Sequence, residues 1–416
     1  MNATRSSARK SVLFLNPSGT LGGAERSLLD LIASLRAAEP KLDVGVIVGG
    51  EGPLLAEGER LGARMHLLPL PERLARVGDH GLVGVNAFIG RAPALLGAGA
   101  ALRTYSRELL GAVRSFSPSL VHSNGIKTHL LSALLPLGGV PLVWHVRDFI
   151  GERFIMAHVL RALAWRPSAL IAISRSVAED VGRALRRADR TTTVYNGIDT
   201  VRFTENGERA DLDELSGLTP SAGVLRVGLV ATYARWKGQP HFLDAAQRFV
   251  RAAGRETVRF YVVGGATYAT KDSQFSREEL TMEIARRGLD GITGLVPFQR
   301  EPERAYRALD VVVHASTRPE PFGRTIAEAM ACGRPVVVAR EGGAAELVDD
   351  GVDSLAVVPR DPEALAAAIL GLARDPEQRA RLGREARRTA TRRFARERLG
   401  PEVLEVYARA GAHLRC

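Results

Sequence analysis

Cysteine is nearly absent from this sequence. Only Cys332 and Cys416 occur among the 416 residues, and they lie far apart in the chain. We therefore expect no disulfide framework, which fits a reducing cytoplasm. Cys332 lies in Ala-Cys-Gly between apolar residues, which favours a packed small side chain over a nucleophile.

Long apolar runs are missing too. The first apolar stretch, residues 12–15, is too short for the core of a signal peptide. Arginine, proline and glycine interrupt the region around residues 97–102, so no segment reaches the roughly 18 apolar residues of a membrane-spanning helix. We expect a cytoplasmic protein rather than an integral membrane protein.

Acidic residues are outnumbered by basic ones. The chain has 57 Lys and Arg against 46 Asp and Glu, a formal net charge of +11. This surplus reflects either a composition that prefers arginine or an attraction to nucleic acid, phosphorylated molecules or anionic lipid. Because no zinc finger or RNA-binding signature is present, we expect a phosphate-bearing substrate, a contact with an anionic membrane, and no nucleic acid partner.

Several motifs of metal and hydrolase chemistry are missing. The sequence has neither His-Glu-x-x-His nor Gly-x-Ser-x-Gly. Asp211-Leu212-Asp213 matches the Asp-x-Asp pattern of some metal-dependent transferases. It lies in a polar segment rather than after a strand, so we interpret it as solvated chain. We predict no metal and no cofactor.

What the sequence does contain is an alternation of short apolar runs and longer amphipathic segments, in two series. The alternation predicts βαβ units and parallel sheets covered on both faces. We predict two doubly wound α/β halves, joined near residues 195–222, with ligands at the carboxyl ends of strands and in the cleft between two facing sheets. Strands are predicted at residues 11–16, 44–48, 120–122, 142–145, 169–173, 224–231, 258–264, 311–314, 336–339 and 355–358, and helices at 24–38, 239–253, 276–287, 362–373 and 377–394.

In the first half, three strands are followed by polar or glycine-rich loops. Gly22 and Gly23 open the first helix, where a phosphate can approach the backbone; a plain tight turn explains them equally well. His145 lies beside Arg147 and Asp148 at a strand end. It is either a substrate contact or a histidine held by a local carboxylate. Residues 122–125, His-Ser-Asn-Gly, offer a similar but weaker pattern.

The first loop of the second half carries two cations, Arg235 and Lys237, before Gly238. Arginine binds two phosphate oxygens at once and lysine acts as a point charge, so the loop suits a diphosphate. A solvated basic loop is the alternative. Its place at the carboxyl end of a strand favours the functional interpretation.

The most informative segment is residues 319–335, PEPFGRTIAEAMACGRP. Glu320 lies on the loop after a strand, and Glu328 lies about one turn inside the next helix. The start of that helix suits a pyrophosphate, because its unpaired N–H groups and dipole favour negative charge. A carboxylate one turn further in can accept bonds from ribose hydroxyls. Residues 340–348, which include Gly342 and Gly343, then form either a turn or a second wall of the nucleotide site.

These residues together resemble the family-4 retaining glycosyltransferases of the GT-B fold. The resemblance runs nearly from end to end. It rests mainly on the Glu-x7-Glu pattern of Glu320 and Glu328 with the following AMACGRPVV, and also on residues 22–25 (GGAE), 195–199 (YNGID) and 236–238 (WKG). It implies two Rossmann-like domains, residues 1–200 for the acceptor and 201–390 for the donor. A C-terminal helix within residues 391–416 would return to the first domain.

The resemblance also implies the roles of the site residues. Glu328 would hold the donor ribose, Glu320 the transferred sugar, and His145 would lie near the reacting sugar. Gly22 and Gly23 would close over the diphosphate. Family members commonly have Gly-Arg several residues before Lys-Gly, where this chain has Ala-Thr, so Arg235 would replace that arginine. The diphosphate would be bound by Arg235 and Lys237, and the backbone of Phe322, Gly323, Arg324 and Thr325 would donate to sugar and phosphate.

The implied activity is a retaining hexosyl transfer from a nucleotide-sugar donor to a saccharide or lipid-linked acceptor, in cell-surface polysaccharide or glycolipid assembly. Residues 70–115, apolar and rich in arginine, either rest on an anionic membrane at the inner face of the cell membrane or form a packed helix. Two alternatives remain: a nucleotide-sugar epimerase or phosphorylase of the same fold, and a non-catalytic nucleotide-sugar-binding module.

Overall fold

The computed structural model describes residues 10–75, 92–266 and 273–414. The chain divides into two compact units. The first comprises residues 1–197 and 396–416, and the second comprises residues 198–395. The sequence analysis placed the corresponding boundaries at residues 200 and 390.

The first unit is built on seven parallel strands in the order β3-β2-β1-β4-β5-β6-β7. Apolar side chains fill its central strands, as expected for a sheet covered on both faces. The sequence analysis missed β3 and β7, because both are short and their side chains are at most half-buried. The strands are β1 (Ser11–Asn16), β2 (Asp43–Val48), β3 (Arg64–Leu67), β4 (Leu120–Ser123), β5 (Leu142–Val146), β6 (Ala169–Ala172) and β7 (Thr191–Thr193).

Helices connect these strands and cover the sheet. In α1, Leu28, Leu31, Ile32 and Leu35 recur at helical spacing and are fully buried. Each such side chain contributes roughly 1.5–3 kcal/mol by leaving water. The helices are α1 (Gly23–Ala38), α2 (Leu54–Arg60), α3 (Glu72–Ala75), α4 (Ala92–Phe116), α5 (Ile126–Leu134), α6 (Phe154–Leu163) and α7 (Arg175–Leu185).

The second unit has six parallel strands in the order β10-β9-β8-β11-β12-β13. Its inner strands are runs of buried valine, such as residues 311–313 and 336–338. The strands are β8 (Leu225–Val230), β9 (Val258–Val263), β10 (Thr293–Val296), β11 (Val311–His314), β12 (Val336–Ala339) and β13 (Leu355–Val357). The helices are α8 (Leu212–Ser216), α9 (Gln239–Ala253), α10 (Arg277–Arg286), α11 (Pro302–Ala308), α12 (Arg324–Ala331), α13 (Ala344–Leu347), α14 (Pro362–Arg374) and α15 (Pro376–Phe394).

The last helix, α16 (Leu399–Arg409), belongs to the first unit, as predicted. It packs on α1, where Gly400 N donates to Ser34 Oγ at 2.7 Å. A Cβ at Gly400 would lie 2.5 Å from the Ser34 carbonyl oxygen, so the close approach of the two helices requires glycine. Tyr407, on the same helix, is fully buried in the core of the unit.

One sequence interpretation is wrong. The segment containing Asp211 and Asp213 was taken as solvated chain, yet Asp213 is 3% exposed. Its carboxylate accepts a bond from the Tyr261 hydroxyl at 2.6 Å and pairs with Arg226 at 3.3 Å. Asp211 caps α8 by accepting from Glu214 N. Both carboxylates therefore have structural partners, local for Asp211 and distant in sequence for Asp213.

The prediction that Cys332 is a packed core residue is confirmed. Cys332 is fully buried, and burial raises the pKa of its thiol to about 12, so it remains a protonated packing residue. Cys416 lies outside the described residues. Within the described ranges, no helix is both long and apolar enough to cross a membrane.

Candidate active site

The site in the second unit forms where β8 and β11 end side by side in the sheet. Lys237 lies on the loop after β8, and Glu320 on the loop after β11. The Lys237 ammonium lies 2.9 Å from Oε1 and 2.7 Å from Oε2 of Glu320. Two predicted site residues are therefore brought into direct contact by strand order.

Glu320 has two further partners, and both are polar side chains near the end of β11. His314 Nε2 lies 3.2 Å and Ser316 Oγ 2.9 Å from Oε2 of Glu320. Burial raises the pKa of the Glu320 carboxyl, but the charge of Lys237 and the bonds from His314 and Lys237 outweigh burial. The pKa is lowered well below its usual range, so Glu320 is an ionised acceptor.

The glycine pair of residues 340–348, Gly342 and Gly343, packs against the backbone of Glu320. Gly343 N donates to the Glu320 carbonyl at 2.6 Å, and Gly342 forms a parallel bridge with Glu320. A Cβ at Gly343 would lie 2.2 Å from the Pro321 oxygen, and Gly342 has a φ of +63°. Both positions therefore require glycine, and the loop is a wall against the Glu320 segment.

The second carboxylate, Glu328, lies one turn inside α12 and is 4% exposed. Its Oε1 accepts from Arg324 Nε at 2.7 Å, and its Oε2 accepts from the Tyr306 hydroxyl at 3.1 Å. Burial and the neighbouring Glu328 raise the pKa of Tyr306 well above its usual value, so Tyr306 remains a hydrogen-bond donor. The carboxylate is held rigidly by one cation and one neutral group.

The start of α12 carries the remaining predicted residues of this unit. Gly323 adopts the left-handed conformation, with φ +98°, at the N-cap of the helix. Arg324 and Thr325 follow in the first turn, whose backbone N–H groups have no partner within the helix. Phe322 is buried and meets Phe394 edge to face at 5.9 Å. The aromatic contact anchors the loop, so the start of the helix is presented in a fixed position.

Arg235 behaves differently from Lys237. Its Nη2 donates to Glu279 Oε1 at 2.7 Å, and its guanidinium lies 4.3 Å from the Phe275 ring centroid. These contacts draw it toward the start of α10, rather than into the Lys237–Glu320 pair. The structure therefore separates the two cations that the sequence analysis paired.

In the first unit, His145 lies at the end of β5 inside a line of buried polar side chains. Its Nδ1 lies 3.2 Å from His122 Nε2 and 3.4 Å from Arg147 Nη2. The other nitrogen of His122, Nδ1, lies 2.7 Å from the Tyr407 hydroxyl. Three elements, β4, β5 and α16, thus position this histidine.

The direction of these bonds follows from the donor-only chemistry of arginine. Burial first, and then the charge of Arg147, lower the pKa of both His122 and His145 well below the usual value, so both rings are neutral. Because Arg147 can only donate, His145 Nδ1 accepts and the ring carries its hydrogen on Nε2. This Nε2 is buried and finds no partner among the described residues. A buried N–H without an acceptor costs roughly 1–3 kcal/mol.

Arg147 connects His145 to the glycine loop. Its Nε donates to Asn124 Oδ1 at 2.5 Å, and its Nη1 donates to Asn196 Oδ1 at 2.9 Å. Asn124 Nδ2 in turn donates to Asn16 Oδ1 at 2.7 Å. Asn16 ends β1 and Asn124 follows β4, so neighbouring strands deliver both amides.

The network ends at the first turn of α1. Asn16 Nδ2 lies 3.4 Å from Glu25 Oε1, and Glu25 Oε2 accepts from Gly22 N at 3.1 Å. Glu25 is the residue of a capping box that fixes the glycine loop. The space next to a Cβ placed on Gly23 is open. The predicted residues Gly22, Gly23 and His145 are thus parts of one bonded assembly.

Sequence reasoning missed several polar members of both sites. These residues share one signal, because each lies at or just beyond the carboxyl end of a parallel strand or on a helix facing it. They are His314, Ser316 and Tyr306 in the second unit, and Asn16 and Tyr407 in the first. His122 and Asn124 belong to the weaker pattern noted at residues 122–125. Among the side chains that the structure describes, no group of three or more His, Cys, Asp or Glu could hold a metal ion. The absence of a metal requirement remains a prediction.

Two family models match the chain. Glycosyltransferase Family 4 matches residues 21–202, and Glycosyl transferases group 1 matches residues 224–375. The two matches fall on the first and the second unit respectively and together leave only short segments unmatched.

Curated and solved relatives agree with these matches. The chain is 29% identical over 385 residues to alpha-maltose-1-phosphate synthase of Mycolicibacterium smegmatis, covering 84% of this chain and 96% of that protein. It is 33% identical over 299 residues to D-inositol 3-phosphate glycosyltransferase of Xylanimonas cellulosilytica, covering 70% and 66%. The crystal structure of Anabaena Alr3699/HepE with UDP-glucose is similar at a TM-score of 0.79 and 27% identity, covering 96% of this chain and 99% of that chain.

Proposed function

Because the chain belongs to the family-4 glycosyltransferases and has their GT-B fold, we propose that it moves a hexose-type sugar from a nucleoside-diphosphate donor to a saccharide or lipid-linked acceptor, retaining the anomeric configuration. The observation that carries this proposal is the pairing of buried Lys237 and Glu320, at 2.7 Å, beside the start of α12. The relative that was crystallised with UDP-glucose supports a nucleotide-sugar donor.

Lys237 and the start of α12 would bind the donor diphosphate. The lysine ammonium has three N–H groups, and the Glu320 oxygens use two of them. The third is available to a phosphate oxygen, together with the first-turn N–H groups that follow Gly323. Negative charge grows on the diphosphate as the sugar leaves, so donors fixed in advance stabilise the transition state more than the ground state.

Glu328 would hold the donor ribose. Its carboxylate oxygens each accept one bond in the free protein, from Arg324 and Tyr306. A carboxylate has about four lone-pair positions, so it can still accept from two ribose hydroxyls. The bonds to Arg324 and Tyr306 would keep the carboxylate oriented before the donor binds.

Glu320 and His145 would contact the transferred sugar. Glu320 is ionised and accepts from hydroxyl groups, whereas His145 offers the unpaired Nε2–H. Glu320 can therefore accept from a sugar hydroxyl, and His145 can donate to a sugar oxygen. Gly22 and Gly23 would close over the diphosphate, with the capping box of Glu25 fixing their backbone.

Arg235 would assist Lys237 only after it leaves Glu279, to which it is bonded in the free protein. We therefore assign Lys237 the main share of diphosphate binding. We expect no metal requirement, since a cation and a helix start already supply positive charge.

The acceptor would be a saccharide or a lipid-linked molecule, and the enzyme would work at the inner face of the cell membrane in cell-surface polysaccharide or glycolipid assembly. The surplus of positive charge supports such a location. Residues 70–115 were linked to the membrane from the sequence, and residues 76–91 of that segment lie outside the described residues. The proposed location therefore rests on the net positive charge of the chain and on the exposed apolar surface of α6.

A panel of nucleotide sugars tests the proposal, with release of nucleoside diphosphate as the readout and lipid and saccharide acceptors present. We expect turnover with one donor, a product with the donor's anomeric configuration by NMR, and no loss of activity in EDTA. An epimerase would change the donor sugar without an acceptor, and a phosphorylase would require inorganic phosphate. Binding of every donor without turnover would identify a non-catalytic module.

A further inference from the structure

The surface of α6 in the first unit is apolar on both faces. Its inner residues Met156 and Leu160 are buried against the unit, as expected. Its outer face is mainly apolar too: residues 154, 155, 159 and 162 are exposed, and His158 is the polar side chain among them. Phe154 is 76% exposed and Ile155 47%. The outer face of a surface helix normally carries polar and charged residues, so exposed Phe154 and Ile155 are unusual there.

Two neighbours extend this exposed surface. Trp165 follows the helix and is 61% exposed, and Leu134, at the end of α5, is 44% exposed. We call Phe154, Ile155, Val159 and Trp165 the α6 face. Contiguous apolar surface of this kind marks an interaction site rather than chance exposure of single residues.

Positive charge surrounds the α6 face. Residues 151–190 contain eight arginines and four acidic residues. Arg161, Arg166 and Arg187 donate to the carbonyls of Ala184, Ala133 and Ala164, respectively. Because a carbonyl is neutral, these bonds fix the guanidinium groups next to α6 without cancelling their charge.

We propose that the α6 face docks on an anionic lipid surface. Apolar and aromatic side chains flanked by arginine are the combination that lies in the boundary between headgroups and acyl chains. The guanidinium of Arg166 lies 5.3 Å from the Trp165 ring, so cation and aromatic group meet at one point of the surface. The surplus of arginine opposes pairing of this face with its own copy and favours an anionic partner.

The position of α6 links this surface to the reaction. The strand that carries His145 ends at Val146, and α6 begins at Phe154. The connecting loop is held by a salt bridge of 2.6 Å between Arg153 and Asp148. A lipid-linked acceptor in the bound membrane would lie near the loop that leaves the site. The placement of a lipid-linked acceptor rests on the proposed transferase function, whereas the contact between the α6 face and lipid does not.

Cosedimentation with vesicles tests the proposal. The full chain is mixed with vesicles of phosphatidylglycerol and phosphatidylcholine, or of phosphatidylcholine alone, at low and moderate salt. We expect binding only to the anionic vesicles. In the variant Phe154→Ser with Ile155→Ser the partition coefficient should fall about tenfold or more, since two inserted side chains are lost. Both residues are exposed, so folding should be kept.

Met282→Ser is the matched control, because Met282 is 63% exposed on a helix of the second unit. It should bind vesicles like the wild type. Equal binding by the double variant, or no binding of the wild type to anionic vesicles at low salt, would overturn the proposal. The proposal would also be overturned if sedimentation velocity showed that the wild type is a dimer and the double variant a monomer, because the α6 face would then bind a second copy of the chain.

Nucleotide release with a soluble acceptor separates this proposal from the transferase function. The double variant should turn over donor like the wild type. Vesicle binding without any turnover would remove the transferase proposal and leave the lipid contact standing. Turnover without vesicle binding would remove the lipid contact and leave the transferase proposal standing.

Discussion

Replacing Lys237 with methionine should destabilise the second unit, because it leaves the Glu320 carboxylate buried without its cation. The side chains are 17% and 10% exposed, so solvent cannot replace the lost partner. Breaking a buried ion pair in this way typically costs about 3–5 kcal/mol. Glu320 can limit the cost by taking up a proton, which for a carboxyl of ordinary pKa costs about 3.4 kcal/mol at pH 7. We therefore expect a loss near 3 kcal/mol.

The pH dependence of this loss follows from the lowered pKa of Glu320. In the wild type, the folded pKa lies below the unfolded value of 4.5, so the stabilisation is present above that value and is lost as pH falls through the folded pKa. In Lys237→Met, the lysine charge no longer opposes burial and only the contacts with His314 and Ser316 remain, so the folded pKa of Glu320 rises. The difference in unfolding free energy between the two proteins should therefore be greatest near pH 7 and shrink toward pH 5.

Urea unfolding followed by hydrogen exchange measures the effect unit by unit. Peptides of β8 and β11 report on the second unit, and those of β1 and β4 serve as an internal reference. Adding Glu320→Gln to Lys237→Met should recover part of the stability, because the uncompensated charge is gone. Arg388→Met, at an exposed pair with Glu385, should change stability little. A loss below about 1 kcal/mol at pH 7, or no recovery in the double variant, would refute the reasoning.

Three further outcomes are expected. Glu328→Gln should weaken binding of the nucleoside diphosphate about tenfold or more in calorimetry; unchanged affinity would rule out a ribose contact. Tyr407→Phe should leave His122 Nδ1 without its donor, so two-bond ¹H–¹⁵N spectra should show mixed tautomers for His122 and His145; a single unchanged tautomer would contradict the bond direction assigned to them. Burial lowers the folded pKa of His122, His129 and His145, so the unfolded first unit binds more protons below pH 6.5. Its stability should fall by up to about 1.4 kcal/mol per pH unit for each histidine, and equal stability at pH 7 and pH 5 would count against neutral buried rings.

The sequence reveals the strands and the loops that carry the chemistry, because parallel strands are runs of valine and their carboxyl ends gather polar residues. The helix with Glu328 is visible in the same way, since a charge among apolar neighbours indicates burial, and Glu328 is 4% exposed. The contacts between residues that are distant in the chain cannot be predicted from the sequence. Lys237 and Glu320 are 83 residues apart and meet only because β8 and β11 adjoin in the sheet, which periodicity does not disclose.

The error at Asp213 and the unexpected partner of Arg235 have the same origin. Asp213 lies in a polar segment, and its burial depends on Tyr261, which is 48 residues away. Arg235 is drawn to Glu279, 44 residues further along the chain. In each case a charged residue was judged from its local sequence, whereas its partner comes from another strand or helix. The role of a charged loop residue can therefore be assigned only when the tertiary structure shows its partners.

The partners of the two carboxylates bear on the chemistry that the chain can supply. A carboxylate that attacks an anomeric carbon needs a free lone pair and appreciable basicity. Lys237, His314 and Ser316 use lone pairs of the Glu320 carboxylate, so few are free for attack. Its lowered pKa also makes it a weak base. Such a group is a fixed hydrogen-bond acceptor rather than a nucleophile. Together with a cation and a helix start, it provides a preorganised electrostatic environment, and we infer that catalysis depends on stabilising the departing diphosphate.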